Sequence, residues 1–180
     1  TMADDIKTSA IYAIVFSILG IFLYILIRFK RIEFGFAAIL ALVHDVLVLL
    51  AIFTIFNGWL PFSLDIDQSF VAAVLTVIGY SINDTVVVFD RVREYIDQHH
   101  TKQENLASVI NNALNSTLSR TVITGICTIS VLFIIFVFGG EILRGFSFAM
   151  LIGVIFGTYS SLFVATPFVV EFIKEKGTAK

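Results

Sequence analysis

The chain has 180 residues, 58% of them hydrophobic and 14% charged, with a mean hydropathy of +0.95. A soluble domain is about 45–50% apolar and about 25% charged, so this composition excludes one and indicates an integral membrane protein. The net charge of −2 decides little about partners, because in a membrane the placement of charge matters more than its sum.

The chain opens Thr1-Met2-Ala3-Asp4-Asp5, acidic where a secretory signal would be basic. A Thr-Met start is the one expected of a piece of a longer protein. Five apolar runs follow, at 9–27, 34–56, 70–89, 122–138 and 146–170. Each has about 17–25 residues, enough to cross about 30 Å of hydrocarbon as a helix rising ~1.5 Å per residue. Strands of a membrane barrel would be half as long and alternate in polarity, so the expected fold is an all-α bundle of five transmembrane helices.

Charge sets the expected orientation. Arg28, Lys30 and Arg31 lie between the first two runs, and Arg91, Arg93, Lys102 and Arg120 between the third and fourth. Lys174, Lys176 and Lys180 follow the fifth, and only Lys7 and Arg144 fall on the other side. The positive-inside rule then puts the N-terminus outside and the C-terminus in the cytoplasm. The loop 57–67 fits the outer side, with Trp59, Pro61 and no basic residue. Transporters are often built from paired helical repeats, so an odd span count points to a sixth helix outside this sequence.

Between the third and fourth runs, Leu106, Val109, Ile110, Ala113, Leu114 and Leu118 recur at helical spacing among Asn111, Asn112, Asn115 and Ser116. The pattern predicts a cytoplasmic amphipathic segment over 94–118, lying on the membrane surface or offering a docking face. His99 and His100, beside Gln98 and Thr101, read as solvated loop residues and not as a metal site. Cys127 is the one cysteine and lies in an apolar run, so no internal disulfide can form. Gly153 and Gly157, with Ser160 and Ser161 a turn on, give the fifth run a small-residue face for helix packing.

The informative residues are the ionisable ones inside the apolar runs. Asp84 sits in the third, where a carboxylate near a helix centre costs about 2.5–3.5 kcal/mol on insertion scales. Tyr80, Ser81, Asp84 and Arg91 share one helical face, and Ser116, Thr117, Arg120, Thr124 and Thr128 form a matching stripe on the fourth. The two helices run antiparallel, so an Asp84–Arg120 pair is geometrically allowed. His44 and Asp45 add a second ionisable pair near the centre of the second run. Such residues face an interior or a cavity and often mark ion or proton paths. The bland alternatives are a structural acceptor at Asp84, an Arg120 that snorkels to headgroups, and a His44 and Asp45 that satisfy each other.

The stretch Gly79-Tyr80-Ser81-Ile82-Asn83-Asp84-Thr85-Val86-Val87-Val88-Phe89-Asp90-Arg91-Val92-Arg93-Glu94 resembles the signature of the SecF family, membrane subunits of the bacterial protein-export motor SecDF. Val43-His44-Asp45-Val46, Leu114-Asn115-Ser116-Thr117-Leu118-Ser119-Arg120-Thr121 and Gly139-Gly140-Glu141-Ile142-Leu143-Arg144-Gly145-Phe146 match in order. The resemblance covers essentially all of 1–180. It implies the C-terminal five helices of a six-helix repeat of the resistance-nodulation-division superfamily, in the bacterial cytoplasmic membrane. It further implies a SecD partner, separate or fused, docking to the SecYEG channel, and a preprotein substrate. By residue, it implies Asp84 as proton carrier and Arg120 as switch, with His44, Asp45, Asn83 and Thr85 as further motif positions. No enzyme activity, cofactor, metal or nucleic-acid partner is expected. Two rivals are a small-molecule or lipid exporter of the same superfamily and an intramembrane hydrolase using Asp45 and Asp84 as a dyad.

Overall fold

In the computed structural model, which describes residues 2–99 and 106–178, every apolar run is a helix that continues past its hydrophobic limits. Thr1, His100, Thr101, Lys102 and Lys180 lie outside the described residues, as do the side chains of Lys7, His99, Lys174 and Lys176. α1 (Met2–Phe29) and α2 (Ile32–Phe56) reverse through two residues. Lys30 takes a left-handed φ of 53° while its N–H still bonds the Leu26 carbonyl, and Arg31 is extended. α2 ends at Asn57 and Gly58, and α3 (Gln68–His99) starts under an Asp67 carboxylate that accepts the Phe70 N–H at 2.9 Å. That is the side-chain cap a helix N-terminus calls for. α4 (Leu106–Phe138) turns into α5 (Gly140–Ser160) at Gly140, whose φ of 77° a side chain would oppose.

A π-helical turn, Ser161–Ala165, joins α5 to α6 (Thr166–Thr178) within one continuous span. Pro167 accounts for it. Proline has no N–H to give, and its ring meets the carbonyl four residues back in a regular helix. The wider turn accommodates both, and the Thr166 hydroxyl bonds the Ser161 carbonyl at 3.1 Å.

One expectation changes here. The described parts of segment 94–118 belong to two longer helices: 94–99 completes α3, and 106–118 forms the first turns of α4. Much of its apolar stripe packs on protein, while Leu118 at its end stays exposed. Ile96, Ile110 and Ala113 are buried with Val92, Phe89 and the Phe29–Phe34 stack.

The interior has two apolar halves. One holds Phe29, Phe34, Phe89, Val92, Ile110 and Leu162. The other holds Leu49, Phe53, Phe70, Val77, Leu132 and Met150. On every helix from α2 to α5, buried polar residues lie between them: Asp45, then Ser81, Asp84 and Thr85, then Thr117 and Thr121, then Ser160. Ser161 of the π turn completes this layer. At the end nearer the first half, ion pairs Arg28–Asp90 (2.7 Å) and Arg31–Asp97 (3.7 Å) tie the α1–α2 turn to α3, and Arg93–Asp97 (3.6 Å) lies within α3. These are solvent-accessible side chains, so each adds little stability.

α3 and α5 approach closely because α5 carries glycines there. A methyl at Gly153 would collide with Val77, and one at Gly157 would press on the Ser81 Cβ at 3.2 Å. Apolar surface gains little by leaving lipid, so such packing is a main source of helix association. Gly153→Val should therefore lower stability by about 1–3 kcal/mol, the usual cost of overpacking. Gly20→Ala, with open space around it, should be neutral. Thermal unfolding of both variants in detergent checks this.

Candidate functional site

Asp45 is fully buried and accepts hydrogen bonds from two other helices. Ser81 of α3 donates at 2.7 Å and Ser160 of α5 at 2.9 Å, both to Oδ2. His44 Nδ1 lies 3.2 Å from Oδ1, and its ring is 34% exposed. In the tautomer with its proton on Nδ1, the imidazole donates to the second carboxylate oxygen. One turn along α3, Thr85 donates to the Ser81 carbonyl at 2.9 Å, and its hydroxyl pairs with that of Ser161 at 2.8 Å. These bonds lock α2, α3 and α5 at one level.

Asp84 lies in the same layer but faces α4. It is 9% exposed, and its Oδ1 accepts from Thr121 at 3.3 Å. Its Oδ2 is buried with no hydrogen-bond partner among the described residues. Below it, towards the charged end, a cleft of 260 Å³ opens between α3 and α4. Val87, Asp90, Arg91, Glu94, Ser116, Thr117 and Arg120 line it. Asp90 pairs with Arg28, and Arg91 with Glu94 at 2.6 Å, whereas Arg120 makes no ion pair among the described residues.

The comparisons with known proteins bear on this arrangement. A family profile described as "Protein export membrane protein SecD/SecF, C-terminal" matches residues 1–175. The chain belongs to the SecD/SecF family. It is 56% identical over 169 residues to the protein translocase subunit SecF of Rhodothermus marinus, covering 94% of this chain and 54% of that protein. Against SecF of Desulfurispirillum indicum it is 45% identical, covering 92% of this chain and 51% of the relative. The chain thus spans about half the length of these relatives. A crystal structure of SecDF in a super-membrane-facing form superposes with a TM-score of 0.79 at 36% identity, over 90% of this chain and 21% of that one. SecDF from Thermus thermophilus, described as translocon-associated, gives 0.74 at 38% identity, over 85% of this chain and 20% of that one.

Within this SecD/SecF bundle, the residues singled out by sequence fall into separate groups. Asp45, His44 and Ser81 come together, and Thr85 joins the same layer through Ser161. Asp84 and Arg120 do not form an ion pair. Neighbouring residues of a helix point about 100° apart, so when Thr121 turns to α3, Arg120 turns out to the cleft. Asn83 is exposed. Gly153 and Gly157 lie at the α3–α5 contact. The polar face drawn through Tyr80, Ser81, Asp84 and Arg91 is divided, with Ser81 serving Asp45 and Asp84 reaching α4.

Asp45 and Asp84 share no hydrogen-bond partner among the described residues, unlike the proton-sharing pair of an aspartyl hydrolase. Sequence reading did not assign Ser160, Ser161 or Thr121 to the site. Two adjacent serines in an apolar run, at the depth of a buried aspartate, were the available signal for the first two.

The two aspartates should separate in a stability experiment. Asp45→Ala strands hydroxyl donors from two helices and should cost about 2–3 kcal/mol. Asp84→Asn keeps an acceptor for Thr121 and should cost under about 1 kcal/mol on the same scale. Reversible unfolding in mixed detergent–SDS micelles reads both.

Proposed function

We propose that this chain is the transmembrane part of a SecF-type subunit of the Sec translocase in the bacterial cytoplasmic membrane. It works with a SecD half, fused or separate, beside the SecYEG channel and in contact with membrane lipids. Its N-terminus lies outside and its C-terminus in the cytoplasm, with the charged end of the bundle facing inward. Its work is to couple inward proton flow to conformational cycling that helps a preprotein leave the channel on the outer side. Family membership and the names of the relatives support the translocase reading.

One observation carries the proton coupling: the Asp84 carboxylate is buried in the apolar bundle, with one oxygen unpartnered among the described residues, next to a cleft that holds Arg120. Desolvation favours a neutral carboxyl group, and an approaching guanidinium favours the charged one. Arg120 has no competing ion pair among the described residues, so its approach drives a proton off Asp84 and its retreat allows one on. A proton crossing the full potential gains about 2.3 kcal/mol per 100 mV, enough to bias a two-state motion. Asp45 and His44, with Ser81, Thr85 and Ser160, hold the frame against which that motion occurs. Asn83, on the exposed side of α3, belongs to the same path at its open face.

The test is export in cells whose full-length protein carries Asp84→Asn or Arg120→Gln. Export driven by the proton-motive force should fall about tenfold or more, equivalent to about 1.4 kcal/mol or more on the limiting step. Membrane levels of the protein should stay unchanged. Export at the wild-type rate from Asp84→Asn would rule out proton carriage there. Drug sensitivity without an export defect would favour the small-molecule exporter.

A further inference from the structure

Five hydroxyls of α4 share one habit, and the buried Thr121 departs from it. Ser116, Thr117, Thr124, Thr128 and Ser130 each donate to a backbone carbonyl three or four residues back in their own helix. That is the default for a hydroxyl in an apolar helix, because it needs no outside partner. Thr121 is 1% exposed and donates instead across the helix interface, to Asp84 Oδ1 at 3.3 Å. A buried hydroxyl that forgoes its own helix marks a contact made for the acceptor's sake.

The two oxygens of Asp84 are thereby made unequal. Oδ1 is held by Thr121, while Oδ2 has no protein donor among the described residues. Among the described residues, no cation forms an ion pair with Asp84. On α2, Asp45 is taken up by Ser81 and Ser160, and His44 by Asp45. α5 and the π turn present hydroxyls, Ser160 and Ser161. On α4, Arg120 lines the cleft with Asp90, Arg91 and Glu94 of α3.

We infer that Thr121 is a positioning residue that directs the transported proton to Oδ2 of Asp84. This rests on the proton-carrier reading given above. On uptake, a lone pair of Oδ2 forms the new O–H bond and the carboxylate becomes a neutral acid. Oδ1 becomes its carbonyl oxygen and keeps the Thr121 hydroxyl as donor. On release the O–H bond breaks, the proton passes to water on the inner side, and the carboxylate returns with the Thr121 bond unchanged. A hydroxyl serves both states because it donates to a carboxylate oxygen and to a carbonyl oxygen alike. Had Oδ1 taken the proton, Thr121 would face the hydroxyl oxygen of the acid, a poorer acceptor than its carbonyl oxygen.

Difference infrared spectroscopy of the full-length protein with its SecD half, in proteoliposomes across a pH titration, tests this. The carboxylic C=O band lost in Asp84→Asn belongs to that side chain. In wild type it should lie at the lowered frequency of a hydrogen-bonded carbonyl. Thr121→Val should move it to higher frequency, and Thr121→Ser should restore it. A band present in wild type at the frequency of a free carbonyl, or unmoved by Thr121→Val, overturns the inference and leaves Asp84 as carrier. Should Thr121→Val fail to fold, Thr121→Ala replaces it, and a free-carbonyl frequency in wild type still overturns the inference. Absence of any band that Asp84→Asn removes overturns the carrier reading, and this inference with it.

Discussion

Hydrocarbon offers a carboxylate no partner, and this bundle contains two carboxylates in its buried middle layer. The rest of the structure can be read as the answer to that constraint. Two apolar halves pack by shape above and below, and most of the buried polar side chains, both aspartates among them, are gathered at one level. Gathering them is what makes them affordable: serine and threonine hydroxyls from neighbouring helices donate where water cannot.

The two carboxylates receive different treatment, and the difference divides structure from work. Asp45 accepts from Ser81 and Ser160, with His44 against its other oxygen. A carboxylate with such a donor set is fixed and fixes its helices in turn. Asp84 has one long bond and one oxygen with no partner among the described residues, in a helix pair that opens to a charged cleft a turn away. A group left unsatisfied at such a depth is the exception in folded proteins, and such exceptions concentrate where function needs a change of state. The close α3–α5 contact at Gly153 and Gly157 sits on the fixed side of this division.

Much of this was legible in the residues. Five runs of spanning length gave five spanning helices, and Asp84, Asp45 and His44 stood out because their cost inside lipid demands a reason. The partners were less legible. A helical wheel places Ser81 and Asp84 on one broad face but cannot say that one reaches α2 while the other reaches α4. Arg120 drew attention because charge is conspicuous, whereas the residue that touches Asp84 is its uncharged neighbour Thr121. The segment 94–118 was read by its amphipathic pattern, which looks the same whether lipid or another helix covers the apolar stripe. Here Phe89, Val92 and Ile96 of α3, with Leu162 and Val169 of the last span, pack on its Ile110 and Ala113.

Family membership gives this bundle its setting, and the bundle is about half of what the relatives contain. The physical claim at the centre is narrower than the whole export cycle: protons cross by way of Asp84. Proton flux into proteoliposomes holding the full-length protein and its SecD half, under an imposed gradient and voltage, measures it directly. The expected result is a flux in wild type that Asp84→Asn abolishes while the folded protein remains in the bilayer. An undiminished flux in Asp84→Asn would contradict it.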